Sequence, residues 1–384
     1  MKKSLSESNC TLRRQARFEG SQGLQCLSVG LGLIMQALQE YQCSVGAHIE
    51  ADIPVSFGND RAAIAAASQS VALYDRSHWG RLRISDSDRL AFLHNQSTNN
   101  IKQLQPGQGC DTVILTSTAR TLDLVSAYIT DTEVLVLTSP QRRQSLLSWL
   151  DRYIFFGDKV QLTDLTDATA CFSLIGPDSA GLLSQIGCTE LPQQQGSHTL
   201  ATIDGVSVRI AAGSGLCTEG YTLIAEREAA LPLWQALQQA GGIPLGEQAW
   251  EQLRVCQGRP MPDAELTEDY NPLEAGLWHT VSFNKGCYIG QETIARLNTY
   301  NGVKQQLWGL ELDFQPEVGA AICVGEQKIG QLTSIVPAQS GFFGLGYIKT
   351  KAGGAGLKVG IDGGEATVVD VPFLSRSLAS ETTV

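Results

Sequence analysis

Asn284-Lys285-Gly286-Cys287-Tyr288-Ile289-Gly290-Gln291-Glu292, continued by Thr293-Ile294-Ala295-Arg296, packs two glycines, a lysine, a cysteine, a tyrosine and a carboxylate into its first nine residues. Ile294 and Leu297, followed by Asn301-Gly302, predict a short helix with an apolar stripe. Gln291 and Glu292 then fall in its first turn, where a carboxylate complements the positive end of the helix dipole. Cys287 lies just ahead of that N-terminus and two residues from Lys285, and both features favour a thiolate. The same residues also read as a glycine-rich turn with a buried cysteine as filler. Local chemistry alone leaves the two readings open.

The chain around this stretch has 384 residues, enough for two or three domains. With 43% hydrophobic and 17% charged residues it has an ordinary globular composition. Its net charge of −11 argues against sequence-independent nucleic-acid binding and against attachment to acidic membranes. No run of about 18 apolar residues predicts a transmembrane helix. Ten cysteines and five histidines are scattered without C-x-x-C, H-x-H or H-E-x-x-H spacing, so no self-contained metal site is expected. Unpaired thiols of this kind suit a reducing compartment. Residues 1–34 carry Lys2, Lys3, Arg13, Arg14 and Arg17 among serines, and form an extension expected to lie outside the fold. Helical patterning begins at Met35, a candidate for the true start.

Downstream, helices and strands alternate. The alanine-rich 61–74 predicts a helix, 81–85 a strand, and Asp86 or Ser87 a cap for a helix carrying Leu90 and Leu93. Val113–Leu115 and Leu124–Ile129 predict a hairpin joined through Thr116–Thr121. Ser139-Pro140 has the form of a helix start, with Leu146, Leu147, Leu150 and Ile154 on one face and Gly157 as its stop. Further strands are expected at 170–175, 206–210 and 221–225, and helices near 228–240 and 247–256. Antiparallel neighbours among these units point to an α+β fold. From Asp313 to Pro372 many glycines and short β-rich runs predict a small C-terminal barrel or sandwich.

Several residues outside the opening stretch invite chemistry. Gly213-Ser214-Gly215-Leu216-Cys217-Thr218-Glu219-Gly220 resembles a phosphate loop but lacks its lysine, so a turn between strands lining a pocket is the better reading. Asp123 interrupts an apolar strand; alternation places it on a water-facing side, or it is an acid turned into a cavity. Arg254 either pairs with a neighbouring carboxylate or holds an anionic ligand. Trp278, Trp308 and Tyr288 could line a cavity for a flat heterocycle, or simply pack in the core.

Lys285-Gly286-Cys287-Tyr288-Ile289-Gly290-Gln291-Glu292 fits K-G-C-Y-x-G-Q-E, the signature of the YgfZ-type folate-binding proteins, at every fixed position, and Ala295-Arg296 continues it. Asn271–Leu277 resembles the P-x-E-x-G-L segment that precedes this motif in the family. Tyr74–Ile84 is similar to its D-x-S-H-x-G-x-L-x-V entry, and Asp88–Asn100 to its D-R-x-x-F-L-x-x-Q-x-T-N-D run, with Asn100 replacing aspartate. Gly330–Ser334 and Leu345–Tyr347 resemble the barrel, so the likeness spans about Met35 to Phe373.

The family is related to the T-protein, the aminomethyltransferase of glycine cleavage. The resemblance therefore implies an α+β T-protein-like fold with ferredoxin-like subdomains around a central cavity. It places the two-subdomain folate-binding region at 35–303 and the barrel and tail at 304–384. It implies tetrahydrofolate or a one-carbon derivative as cofactor, no resident metal, and a part in assembling or repairing iron–sulfur enzymes in which Cys287 is the key residue. Lys285 and Asp123 would share the chemistry. Asp123, Glu219, Arg254, Tyr288, Gln291, Glu292 and Arg296 would contact the folate, with Glu219 or Asp123 on the pterin and Arg254, Lys285 and Arg296 as candidate cations for the acidic tail. The cytoplasm of a bacterium, or the matrix or stroma of an organelle, is the implied setting. The alternative is a folate-dependent aminomethyl- or methyltransferase. Against it stand a single aspartate where T-proteins carry a pair, at Leu122-Asp123-Leu124, and Glu219 displaced by one position from the T-protein's pterin glutamate.

Overall fold

The computed structural model describes residues 36–377. The expectations for residues 1–34 and for Met35 lie outside that range. Ala72–Asp75 and Thr169–Ile175 are buried at every position, the mark of strands covered on both faces. They pair antiparallel, Ala72 opposite Ile175, at the centre of a six-stranded sheet. Its order is His198–Ile203, Val206–Ala212, Gly220–Glu226, Thr169–Ile175, Ala72–Asp75 and Ile243–Leu245, the last pair being parallel. The alanine-rich segment supplies a helix at Asp60–Gln69 that buries Ala63, Ala66 and Ala67. The rest of that segment departs from expectation, because Leu73 and Tyr74 pair with Leu174 and Ser173 in the central strand, and burial on both faces overrides the local helix pattern.

A second, five-stranded sheet runs Gly109–Leu115, Thr121–Ile129, Glu133–Pro140, Trp79–Ser85, Gln161–Asp164, with the expected hairpin at its edge. Here Ser139-Pro140 does not start a helix. Trp79 pairs with Pro140 and Gly80 with Thr138, which extends the strand, and the helix begins at Arg143 after Gln141 turns the chain at φ 62°. The helix at Arg89–Gln96 is preceded by Asp88, not Asp86 or Ser87; one Asp88 carboxylate oxygen accepts the Lys159 amide instead of capping.

The C-terminal strands close into a six-stranded barrel ordered Gln305–Leu312, Phe342–Lys349, Gln327–Pro337, Ala321–Val324, Lys358–Ile361, Gly364–Val369. It is fastened to the α+β region by the helix Glu247–Gln257. Arg254 on that helix donates to Glu265 at 2.8 Å and to the Ser334 hydroxyl of the barrel at 3.0 Å. Glu265, fully buried, also accepts from the Thr333 and Ser334 hydroxyls, while its carbonyl accepts from Tyr347.

Candidate functional site

The opening stretch begins where the helix Arg89–Gln96 ends. Terminal carbonyls of a helix lack intrahelical partners. Lys285 Nζ fills that need, donating to the carbonyls of His94 and Ser97 at 2.6 Å and of Asn99 at 2.7 Å. The Ile289 amide donates to the Asn95 carbonyl at 2.9 Å, and Ser282 N–H to the Thr98 carbonyl at 3.0 Å. Two segments singled out in the sequence, 88–100 and 284–292, are thus one structural unit. Lys285 Nζ also sits 4.6 Å from the centroid of the Tyr288 ring. Burial pushes the lysine down to about 7 and the Tyr288 phenol up to about 12. Against the first shift stand the three carbonyls, which use all three N–H donors of the ammonium form.

The helix starts at Gln291, with Gly290 as N-cap at φ 78°. A side chain at 290 would bring Cβ within 2.6 Å of Leu115 and 2.8 Å of the Thr116 carbonyl, so glycine is required there by both backbone and space. Gln291 Oε1 accepts the Tyr288 amide at 3.0 Å, reaching back over the turn as a capping-box side chain does. Lys285, Tyr288, Gly290 and Gln291 are engaged in shaping the loop. Cys287 and Glu292 are exposed, and so is Arg296 further along the helix.

Asp123 lies apart, in the interior between the sheets. It is fully buried, and the water-facing reading of its strand fails because that strand has buried positions on both faces. Oδ2 accepts the Ser139 amide at 2.9 Å, whereas Oδ1 is buried without a partner. Desolvation raises its pKa to about 6, opposed by the Ser139 contact and by Arg259 and Arg142. Arg254 resolves into the pairing alternative: besides Glu265 it donates to Glu251 at 2.7 Å, so its charge serves the barrel junction. Glu219 is exposed beside an outer groove of about 300 Å³ on the loop Gly213–Gly220, which is a turn between two strands. Trp278 and Trp308 pack in hydrophobic clusters. The residues assigned to folate from sequence therefore occupy four separate places.

The interior holds polar residues that the sequence reading passed over. Arg76, at 2% exposure, has its guanidinium carbon 3.9 Å from the Trp79 ring centroid. Arg259, at 4%, lies 5.4 Å from the same ring. Desolvation, with Arg76 nearby, lowers Arg259 to about 10, so it stays charged at neutral pH. Beside Arg76 an enclosed recess of about 20 Å³ is lined by Cys110, Asp111, Tyr128, Gln195 and Gly215. A recess that size holds one or two water molecules, and a bicyclic ring requires it to open. The available signal was Arg76 and Trp79 filling the two open positions of D-x-S-H-x-G, an arginine and an aromatic three residues apart.

Residues 34–285 match GCV_T, the GCVT N-terminal domain. A chloroplastic protein of Arabidopsis thaliana, named provisionally as a transferase, is 44% identical over 343 residues, 88% of this chain and 79% of that protein. The aminomethyltransferase of Synechococcus elongatus is 28% identical over 372 residues, 91% of this chain and 99% of that one. Among solved structures, the glycine cleavage system aminomethyltransferase T of Bartonella henselae superposes with a TM-score of 0.78 at 19% identity, covering 88% of this chain and 97% of that one, which is a likeness of fold. Sheets, barrel and their order define an aminomethyltransferase-like architecture. The chain belongs to the GCVT family.

Proposed function

We propose that this protein is a tetrahydrofolate-binding accessory factor of the YgfZ type that serves the assembly or repair of iron–sulfur enzymes through Cys287. The observation that carries the reading is the division of labour in K-G-C-Y-x-G-Q-E. Lys285, Tyr288, Gly290 and Gln291 hold the loop, and the thiol they frame is exposed. A loop so constrained presents one nucleophile or soft ligand to something that arrives from outside, which suits a protein client better than a small substrate buried in the core. Lys285 acts by positioning, since its protons are engaged. The folate belongs to the interior of the 35–303 region, where Asp123 offers a free carboxylate oxygen to the paired donors of a pterin. In this reading the second unit begins at 304, just ahead of the barrel strands Gln305–Leu312 to Gly364–Val369. The name of the Arabidopsis relative favours an organellar setting if the chain is eukaryotic. No helix of the described residues is long and apolar enough to cross a membrane.

The test is a deletion strain assayed for several iron–sulfur enzymes and complemented with wild type or Cys287→Ala. Wild type restores the activities and the alanine variant does not; equal rescue by both sinks the role of the thiol. Titration of the full chain with 5-formyl-tetrahydrofolate, followed by tryptophan fluorescence, tests the ligand separately. A flat titration at millimolar ligand removes it. A second reading, a folate-dependent aminomethyltransferase, is favoured by the aminomethyltransferase relatives. It requires methylene-tetrahydrofolate to appear from an aminomethyl-lipoyl carrier.

A further inference from the structure

Two guanidinium groups of the interior have no counter-charge in contact. The Nε atoms of Arg76 and Arg259 are buried without hydrogen-bond partners. Among the described residues no carboxylate oxygen comes within 4.0 Å of a guanidinium nitrogen of either arginine. A buried charge is costly unless it is paired and hydrogen-bonded. The nearby carboxylates are turned to other donors: Asp111 accepts the Ser126 hydroxyl at 2.6 Å, and Asp123 the Ser139 amide at 2.9 Å. They act on Arg259 from a distance and contact neither guanidinium.

The two arginines also share a platform. Both rest against Trp79, which is 1% exposed and fixed edge-on against Trp250 with ring centroids 5.3 Å apart. Arg76 Nη1 is already shared among the Ser173 and Thr222 hydroxyls and the Ser214 carbonyl, at 3.2 to 3.4 Å. The backbone closes over it: Gly215 has φ 88°, and a Cβ there would come within 2.8 Å of that nitrogen. Arg259 is held by ring faces, Trp79 on one contact and Phe373 on another at 5.4 Å.

We propose that Arg259, supported by Arg76 on the Trp79 platform, receives an oxyanionic group of the interior ligand, a carboxylate or a phosphate. A guanidinium fork matches either group with two parallel hydrogen bonds. The other cations considered for this task are engaged or outside: Arg254 in its two carboxylates, Lys285 in three carbonyls, Arg296 at the surface. The inference rests on the interior being a ligand site, as proposed above, but not on that ligand being a folate.

The test compares full-length wild type with Arg259→Gln and Arg259→Lys. Each is titrated calorimetrically with 5-formyl-tetrahydrofolate, with 6-methyl-tetrahydropterin, which keeps the ring and carries no carboxylate, and with inorganic phosphate; thermal midpoints are read in parallel. If the folate glutamate supplies the oxyanion, Arg259→Gln weakens 5-formyl-tetrahydrofolate by about tenfold or more, the worth of one charge-assisted pair, and leaves 6-methyl-tetrahydropterin unchanged. Arg259→Lys, which keeps the charge and loses the fork, falls between and serves if the glutamine variant fails to fold. If phosphate raises the wild-type midpoint but not that of Arg259→Gln while no folate binds, the oxyanion site stands and the folate reading falls. If folate binds wild type and both variants equally, the arginine assignment is overturned and the folate reading stands. A wild type indifferent to all three ligands also overturns it.

Discussion

Asp123 is a carboxylate whose two oxygens live in different circumstances, one bonded to the Ser139 amide and one buried with nothing to accept from. Its pKa near 6 exceeds the ordinary value of 3.8, so the folded protein retains a proton that the unfolded chain has released between those two values. Stability is therefore lost as pH rises from 3.8 to 6, and the full penalty of about 3 kcal/mol persists above. Asp123→Asn removes the ionisation. Its stability relative to wild type, from urea melts in the absence of ligand, should rise across pH 4 to 6 and then level off, gaining about 1–3 kcal/mol at pH 7. A difference independent of pH would show that Asp123 does not titrate in this window. At this scale the sequence was partly legible. The motif residues could be read because their reasons are local: a left-handed glycine, a side chain reaching back three residues, a carboxylate in a first turn. Asp123 misled because alternation along a strand says which side chains share a face, not what covers that face. Arg254 was undecidable because both Glu265 and Ser334 are supplied by other segments.

At the scale of elements, the helix Gln291–Thr299 owes its position to the hairpin it touches as much as to its own stripe, for Gly290 abuts Leu115, Thr116 and Ala119. Gly290→Ala has to place an alanine at φ 78° and move the hairpin tip. A loss of about 1–3 kcal/mol is expected, visible as a lower thermal midpoint. Because the loop ahead of the helix is then less constrained, alkylation of Cys287 should also change rate. An unaltered midpoint and rate would mean that the hairpin yields freely. Elements with strong periodicity were legible, among them the helix Glu247–Gln257, the hairpin and the barrel. Ser139-Pro140 was not. The local preference for a helix start gave way to pairing with Trp79 and Gly80, partners some 60 residues earlier in the chain.

At the scale of the whole molecule, barrel and α+β region are joined around one buried carboxylate. Glu265 receives Arg254, two barrel hydroxyls and the Met261 amide. Arg254→Met leaves that charge short of its cation, and breaking such a pair costs about 3–5 kcal/mol. Arg254→Met with Glu265→Gln removes both charges and should recover a substantial part of the loss. Urea melts of the two variants check this; equal damage in both would show that the residues contribute by shape and not by charge. Fold class was legible because alternating units and a glycine-rich β tail are properties of long stretches. The interior was not, since Arg76, Asp111, Asp123 and Arg259 come from distant points that only the packed sheets bring together.

The lysine clamp has a bearing on how the protein is made. Lys285 is 188 residues from Ser97, whose carbonyl it satisfies. At roughly 5–20 residues per second a ribosome needs about 10–40 s to travel that distance. Throughout that interval the helix Arg89–Gln96 ends in carbonyls facing water, and no nascent chain possesses a finished thiol loop. The Cys287 loop is thus framed only after the strands of both sheets have been synthesised, and ahead of the barrel strands.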